Sequence, residues 1–390
     1  MRVIVVGAGL GGLAAAVALH RDGHEVVVRE RAAELRENGT AIGIMPNGVL
    51  ALDALGLGAA VRERDPGWGA GGGMLDRRGR PLLVTDQAAL RARTGAPAVV
   101  VARRWLHGLL ADALPAGTVR TASPVRALAD VREDADVVVV ADGARSRLRA
   151  ELFPAHPGLV GSGETAARAI APGLPEGLVA PAGELLDHRT GERFGCMAMA
   201  GGAVYWYSTW RVRAPEDPEQ RRRWLLERRA DWHPAVAALV GATPADAVHV
   251  VETAQLARPL PRLVDGRVAL LGDAAHAMTP DLGQGACQAF EDAVVLAAEL
   301  RGTDGGIDGI EAALRRYDAR RGPRTAQVQR RARRAHRMLT LRGPRARVRD
   351  AAMRLVPAGL ATRALGAQLA FDPQRGARTA DDPVTADRLG

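Results

Sequence analysis

The stretch MRVIVVGAGLGGLAAAVALHRDGHEVVVRE, residues 1–30, decides the fold. Val3 to Val6 is apolar without alternation, the pattern of a parallel strand buried on both faces. Gly7-Ala8-Gly9-Leu10-Gly11-Gly12 then fits G-x-G-x-x-G, and Leu13, Ala14, Val17 and Ala18 recur at helical spacing. Val26 to Val28 reads as a second strand, with Glu30 just past its end. Each part has a mechanical role. Gly7 permits the tight turn, Gly9 lets backbone approach a pyrophosphate, and Gly12 lets the helix pack closely on the strand. The helix N-terminus offers unpaired N–H groups to phosphates, and Glu30 can accept hydrogen bonds from a ribose. The unit specifies a dinucleotide site without choosing between NAD and FAD.

The rest of the chain bounds the answer. Its 390 residues suffice for two domains, or for one large domain with an insertion. No stretch reaches the roughly 20 apolar residues of a membrane-spanning helix. A strand beginning at Val3 also argues against a signal peptide. Two cysteines, Cys196 and Cys287, are too few for a disulfide framework, so a reducing cytoplasm is expected. The net charge of +9 comes without a single lysine, so all 53 basic residues are arginine. Nine of them fall in RRARRAHRMLTLRGPRARVR, residues 330–349. No aromatics interleave them to stack on bases, so a solvated helical face is expected there and no nucleic-acid partner. Nothing suggests a metal site.

Two distant segments choose the nucleotide. In DADVVVVADGARSRLR, residues 134–149, a buried strand ends in Asp142-Gly143, with Ser146 and Arg149 downstream. In GRVALLGDAAHAMTPDLGQGACQAFEDA, residues 266–293, a strand ends in Gly272-Asp273. A Pro280 turn and a Gly283-Gln284-Gly285 loop then open a helix through Glu291 and Asp292. Together with VARRWLHGLL (101–110) and YDARRGPRT (317–325), these segments resemble the FAD-dependent monooxygenases of the p-hydroxybenzoate hydroxylase type. The likeness runs from Met1 to about Thr325.

That resemblance implies an α/β fold: a Rossmann-like FAD-binding domain, an inserted antiparallel-sheet substrate domain, and C-terminal helices. The FAD domain would take residues 1–70, 98–155 and 260–330, and the substrate domain 71–97 and 156–259. Residues 331–390 would be helices packed back on the FAD domain and a mobile tail. It also implies that Asp273 binds the ribityl chain and that Pro280 lies against the flavin. The Leu282–Ala286 backbone, including Gly283, Gln284 and Gly285, would point N–H groups at the pyrimidine end. Arg103 would contact the cofactor, with a slip to Arg104 left open. Gly11, Leu10, Arg31 and Ala41 complete the cofactor set. Asp142 and Ser146 belong to a motif shared by FAD and the incoming nicotinamide, and they also fit helix capping. His276 is read as loop packing, and Glu291 and Asp292 as hydrogen-bonded structure. The edge between Val119 and Asp136, where relatives carry a further hairpin, is trimmed.

RFGCMAMAGGAVYWYSTWR, residues 193–211, reads as two strands joined around Gly201-Gly202. Val204, Trp206, Ser208 and Trp210 share one face, and Tyr205, Tyr207 and Thr209 the other. Either face could meet a substrate, with the helix at 221–240 covering the sheet. In GETAARAIA (163–171) the family's Trp and Gly around its arginine are Ala167 and Ala169 here, which suggests a roomier pocket. Arg168 could face the flavin or a substrate anion. Arg168, Tyr205, Tyr207 and Pro280 are the candidate catalytic residues.

The implied reaction is an NAD(P)H-dependent insertion of one atom of O₂, through a flavin hydroperoxide, into an aromatic or polyketide-like molecule. With no second glycine fingerprint, NAD(P)H would bind transiently. The resemblance further implies a flavin that moves between the nicotinamide and the substrate. A natural-product epoxidase or oxidase, or a redox-silent flavin-binding protein, are the alternatives. The W-x-W-x-I-P pattern of flavin halogenases is absent. A monomer or a homodimer fits equally well.

Overall fold

The apolar run at the amino end forms the strand Arg2–Val6 inside a six-stranded sheet. The sheet order is Val264–Asp265, Val268–Leu270, Val137–Val140, Arg2–Val6, Glu25–Arg29, Val119–Arg120. Every pairing is parallel except the Val264–Asp265 edge. Val137 to Val140 and Val268 to Leu270 are fully buried, as parallel strands covered on both faces require. The computed structural model describes residues 1–35, 40–67, 71–181, 183–303 and 305–372. The last dozen residues, expected to be mobile, lie outside these.

Glycines set how closely the layers approach. The helix Leu10–Arg21 packs between this sheet and the helix Gly285–Leu300. A Cβ on Gly12 would overlap the Gly7 carbonyl oxygen, and one on Gly11 would crowd Ala289 and Leu271 at 3.1 Å. Gly7 itself has φ +105°, a conformation side chains rarely adopt. The trimmed edge is the two-residue strand Val119–Arg120, followed by a single 3₁₀ turn at Leu128–Asp130.

A second sheet of seven strands floors the rest of the molecule. Its order is His249–Leu256, Leu159–Ala171, Val204–Trp210, Arg193–Ala198, Gly183–Leu186, Gly71–Asp76, Pro81–Asp86. Pairing is antiparallel throughout, apart from Gly183–Leu186 beside Gly71–Asp76. Gly201 and Gly202, at φ +78° and +82°, turn the central hairpin. A two-stranded ribbon, Ala41–Ile44 with Val99–Ala102, lies between the sheets.

The ribbon settles which face of the hairpin is which. Trp206 and Trp210 are buried with Ala167, Ala169 and Ala171 against Leu225, Val236 and Leu239 of the helices Pro218–Arg228 and Pro234–Ala242, and against Trp232 in the turn between them. Tyr205 and Tyr207 cluster instead with Ala41, Val100, Met197 and Met199 on the side of the nucleotide domain. The register agrees: Ala169 lies opposite Trp206, and Arg168 opposite Tyr207. The expectation of a roomier pocket from Ala167 and Ala169 is therefore corrected. Their small side chains make room for indoles and helices on the covered face.

The carboxyl-terminal part also departs from expectation. The boundary at 330/331 falls inside one helix, Ile307–Leu339. The helices Gly343–Arg354 and Ala358–Leu369 pack on Pro81–Asp86, and the second also on the helix Gln87–Thr94. Beyond them Phe371 packs against the nucleotide core and the Ala370 carbonyl accepts from Arg324 at 3.1 Å. Overpacking tests the face assignment. Ala169→Leu should cost about 1–3 kcal/mol in chemical denaturation and leave ligand affinity on the tyrosine face unchanged.

Candidate active site

Four turns meet beyond the carboxyl ends of the parallel strands, where open α/β sheets bind ligands. Gly7 follows Val6, Glu30 follows Arg29, Asp142 follows the strand ending at Val140, and Gly272-Asp273 follows the one ending at Leu270. The Glu30 carboxylate accepts from the Ala8 N–H at 2.8 Å and the Ala32 N–H at 2.9 Å. It braces the glycine turn and keeps lone pairs for a ribose. His107 Nε2 donates to the Ala8 carbonyl at 2.7 Å, fixing the same turn from the helix Arg103–Asp112. Among the described residues a Cβ on Gly9 would meet no atom within 4 Å, so they leave the space before this turn open. Leu10 is buried and offers only backbone, Arg31 is exposed, and Ala41 is buried against the ribbon. Arg103 is half-buried where Arg104 is exposed, and its N–H donates to Thr40 at 3.3 Å.

Arg149 ties two of the motifs together. It donates to the Ala274 carbonyl at 3.0 Å and the Ala144 carbonyl at 2.8 Å. Burial lowers its pKa, opposed by the charges of Asp142 and Asp273. Asp142 accepts from the Arg147 N–H at 3.2 Å, while its Oδ1 is buried without a partner. That burial raises its pKa. Ser146 caps the helix Arg147–Leu152, accepting from the Arg149 N–H at 2.9 Å. Asp273 is exposed, and its carboxylate makes no hydrogen bond among the described residues. It points toward Gly285, 3.8 Å from where a Cβ would stand.

The Pro280–Ala286 segment is held by its side chains and presents its backbone. Pro280 is exposed, and Gly283 turns at φ +61°. Gln284 is buried, bonded to Asn47 at 2.9 and 3.1 Å, so only its main chain faces outward. Gly285 and Ala286 begin the helix Gly285–Leu300, whose first-turn N–H groups lack intrahelical partners. Behind this loop, Asp292 accepts from the Gly272 N–H at 3.0 Å and pairs with His276 at 2.6 Å and Arg321 at 2.7 Å. Burial alone would raise Asp292, but the His276 and Arg321 charges outweigh it and hold the carboxyl at about 2.

Asp281 reaches the other way, into the second sheet. It pairs with Arg193 at 2.7 Å and with His336 Nδ1 at 3.3 Å. Burial opposes its ionisation, yet the His336 hydrogen bond and the Arg193 charge bring it to about 2. Arg193 also donates to Glu164 at 2.5 Å and Glu184 at 3.2 Å. Tyr207 and Tyr205 lie beside this cluster with ring centroids 6.3 Å apart, and burial raises the pKa of both. Arg168, half-buried opposite Tyr207, makes no hydrogen bond or ion pair among the described residues. Among the described residues Arg193 Nε, Glu164 Oε1 and Thr209 Oγ1 are buried without hydrogen-bond partners. Sequence reading missed Arg193, Glu164, Glu184, Asp281 and His336. An arginine alternating with Gly195 and Met197 was the one available signal. Its partners come from the neighbouring strand at Glu184 and from more distant segments at Glu164 and Asp281.

These residues fit FAD. The open space at Gly9, the free Asp273 carboxylate and the unpaired helix-start N–H groups match its pyrophosphate, ribityl chain and ring. Comparison with known proteins agrees. The FAD binding domain family matches residues 116–332, and the NAD(P)-binding Rossmann-like domain matches residues 5–41. The aurachin C monooxygenase/isomerase of Stigmatella aurantiaca is 34% identical over 340 residues, covering 82% of this chain and 84% of that protein. The 3-amino-4-hydroxybenzoate 2-monooxygenase PtnB3 of Streptomyces platensis is 35% identical over 375 residues, covering 90% and 92%. The crystal structure of Klebsiella pneumoniae HpxO complexed with FAD and uric acid superimposes with a TM-score of 0.83 at 30% identity, covering 95% of this chain and 96% of that one. The chain belongs to this family of FAD-dependent monooxygenases, the flavoprotein aromatic hydroxylases.

Two measurements test the site. Asp273→Ala should weaken FAD binding by about 1.5–3 kcal/mol in a flavin titration, with the melting temperature of the apoprotein unchanged. Asp292, held at about 2 against an ordinary 3.8, stabilises the fold above pH 3.8. That contribution, on the order of 2 kcal/mol, should vanish as pH falls toward 2, and acid denaturation of Asp292→Asn should show a correspondingly weaker pH dependence.

Proposed function

We propose that the chain uses NAD(P)H and O₂ to hydroxylate a small, electron-rich aromatic ring bearing an anionic group. One observation carries this reading: Arg168 is an uncommitted cation on the tyrosine face, next to a polar cluster tied through Asp281 to the loop before the flavin-binding helix. Bound FAD would supply the redox chemistry, linking the oxidation of NAD(P)H to the use of O₂.

The chain's own groups position and shield. Arg168 would take the substrate's anionic group, since the Arg193 charge is already matched by Glu164 and Asp281. Tyr205 and Tyr207 stay protonated at neutral pH; Tyr207 is hydrogen-bonded to Glu184, which leaves Tyr205 as the donor to the ring's oxygen or nitrogen atoms. Met197, Met199 and Val100 supply apolar walls that exclude water. Pro280 and the Gly283–Ala286 backbone seat the flavin ring, and the helix start favours its reduced, anionic form. The relatives named for an aminohydroxybenzoate and solved with uric acid handle rings of this size and polarity.

Screening anionic hydroxy- and aminoaromatics for accelerated NAD(P)H oxidation, then tracing labelled O₂ into product, tests the reaction. Peroxide without labelled product from every aromatic would make the chain an oxidase. Arg168→Ala should raise KM for anionic substrates tenfold or more, from the loss of about 1.5–3 kcal/mol, with kcat little changed. An unchanged KM would remove Arg168 from the site.

A further inference from the structure

The helix Gly343–Arg354 is inverted relative to its surroundings. Its inward stripe is Ala346, Arg349, Asp350 and Met353, with Arg349 and Asp350 paired at 2.6 Å below the surface. Its outward stripe is Val348, Ala351, Ala352 and Leu355, at the i, i+3, i+4, i+7 spacing of one helical face. Val348 is 70% exposed and Leu355 82%. The corner that follows, Val356-Pro357-Ala358-Gly359-Leu360, is exposed along its whole length, and Leu360 is 58% exposed. Ala364 and Ala367 continue the face on the helix Ala358–Leu369.

The exposed charge along this segment has one sign. Between Leu341 and Phe371 the only acid is Asp350, which is buried. Arg342, Arg345, Arg347, Arg354 and Arg363 are all exposed. On the helical wheel Arg345 flanks the apolar stripe on one side, and Arg347 and Arg354 flank it on the other. An apolar tip inside an arginine collar, with no exposed carboxylate between Leu341 and Phe371, has the composition of an interfacial membrane contact: apolar side chains enter the acyl boundary while the cations meet anionic headgroups. Two copies of the same face would bring five arginines against five, which opposes self-pairing.

We propose that the Val348–Leu360 corner docks the protein on anionic phospholipid surfaces, as a peripheral contact. It is independent of the catalytic reading, because no residue of the face lies in the active site. The test is co-sedimentation of the full-length holoprotein with phosphatidylglycerol vesicles and with phosphatidylcholine vesicles, at low and high salt. Binding to the anionic vesicles should exceed that to the neutral ones by about tenfold or more, and should fall with salt. The variant Leu355→Glu/Leu360→Glu should lose that binding while keeping its FAD content, its melting temperature and its flavin turnover. Equal sedimentation with both lipids, or undiminished binding by the variant, overturns the proposal. So does a concentration-dependent dimer that the variant abolishes without any lipid binding, since the face would then be a self-association surface.

Discussion

The site depends on a set of charges that the fold keeps out of water. Arg321 pairs with Asp292 at 2.7 Å and with Glu291 at 2.5 Å, and also donates to Gln288 Oε1 at 2.8 Å. Arg324 and Asn47 complete the shell of Glu291, while His276 and the Gly272 N–H complete that of Asp292. Desolvating such groups is costly, and removing one partner leaves an uncompensated charge worth about 3–5 kcal/mol. The arrangement therefore holds only when all its members are in register. Two of those members are the turn before Asp273 and, through Asn47 and Gln284, the loop at Gly285. One buried network thus fixes both places where a flavin would touch the second half of the chain.

The helix Ile307–Leu339 carries this order to the second sheet. At one end Tyr317 donates to the Leu270 carbonyl at 2.9 Å and Arg321 enters the network. Fifteen residues on, roughly 22 Å along a rigid helix, His336 meets Asp281. Arg211 donates to His336 Nε2 at 3.3 Å, so that nitrogen is the acceptor and Nδ1 carries the proton given to Asp281. Asp281 is then clamped by a strand of the pocket sheet and by this helix together. The YDARRGPRT segment has its physical reason here: its tyrosine and arginine make the helix a spacer between the nucleotide domain and the second sheet.

Local chemistry was legible in the sequence and long-range pairing was not. The parallel strands, the glycine turn, the Gly201-Gly202 hairpin and the structural roles of His276, Glu291 and Asp292 follow from spacing, turn residues and resemblance. The two hairpin faces were also separable by alternation. What faced each of them depended on the ribbon Ala41–Ile44 and Val99–Ala102, whose place no local pattern encodes. The same limit hid Arg193, whose partners Glu164, Glu184 and Asp281 come from three other segments. Ala167 and Ala169 misled for a related reason. A small residue marks a space, but only the packing says whether an indole or a ligand fills it.

The anchoring of Pro280–Ala286 bears on how one site could serve two reactants in turn. The loop's polar side chains point away from the nucleotide cleft, Asp281 into the sheet and Gln284 into the buried network. Moving the loop would expose an aspartate held at about 2 by Arg193 and His336, and would strip Gln284 of Asn47. Both changes leave buried polar groups unpaired, at a cost of about 1–3 kcal/mol each. The Gly283 N–H is given to the Pro280 carbonyl, so the N–H groups this segment leaves open are those of the first helical turn at Gly285. Under the proposed reaction, NAD(P)H and the aromatic substrate must reach the same flavin, and the described residues offer a single glycine fingerprint. Under that reaction the part left free to move would be the cofactor's ring, because the loop beside it is fixed by its buried side chains.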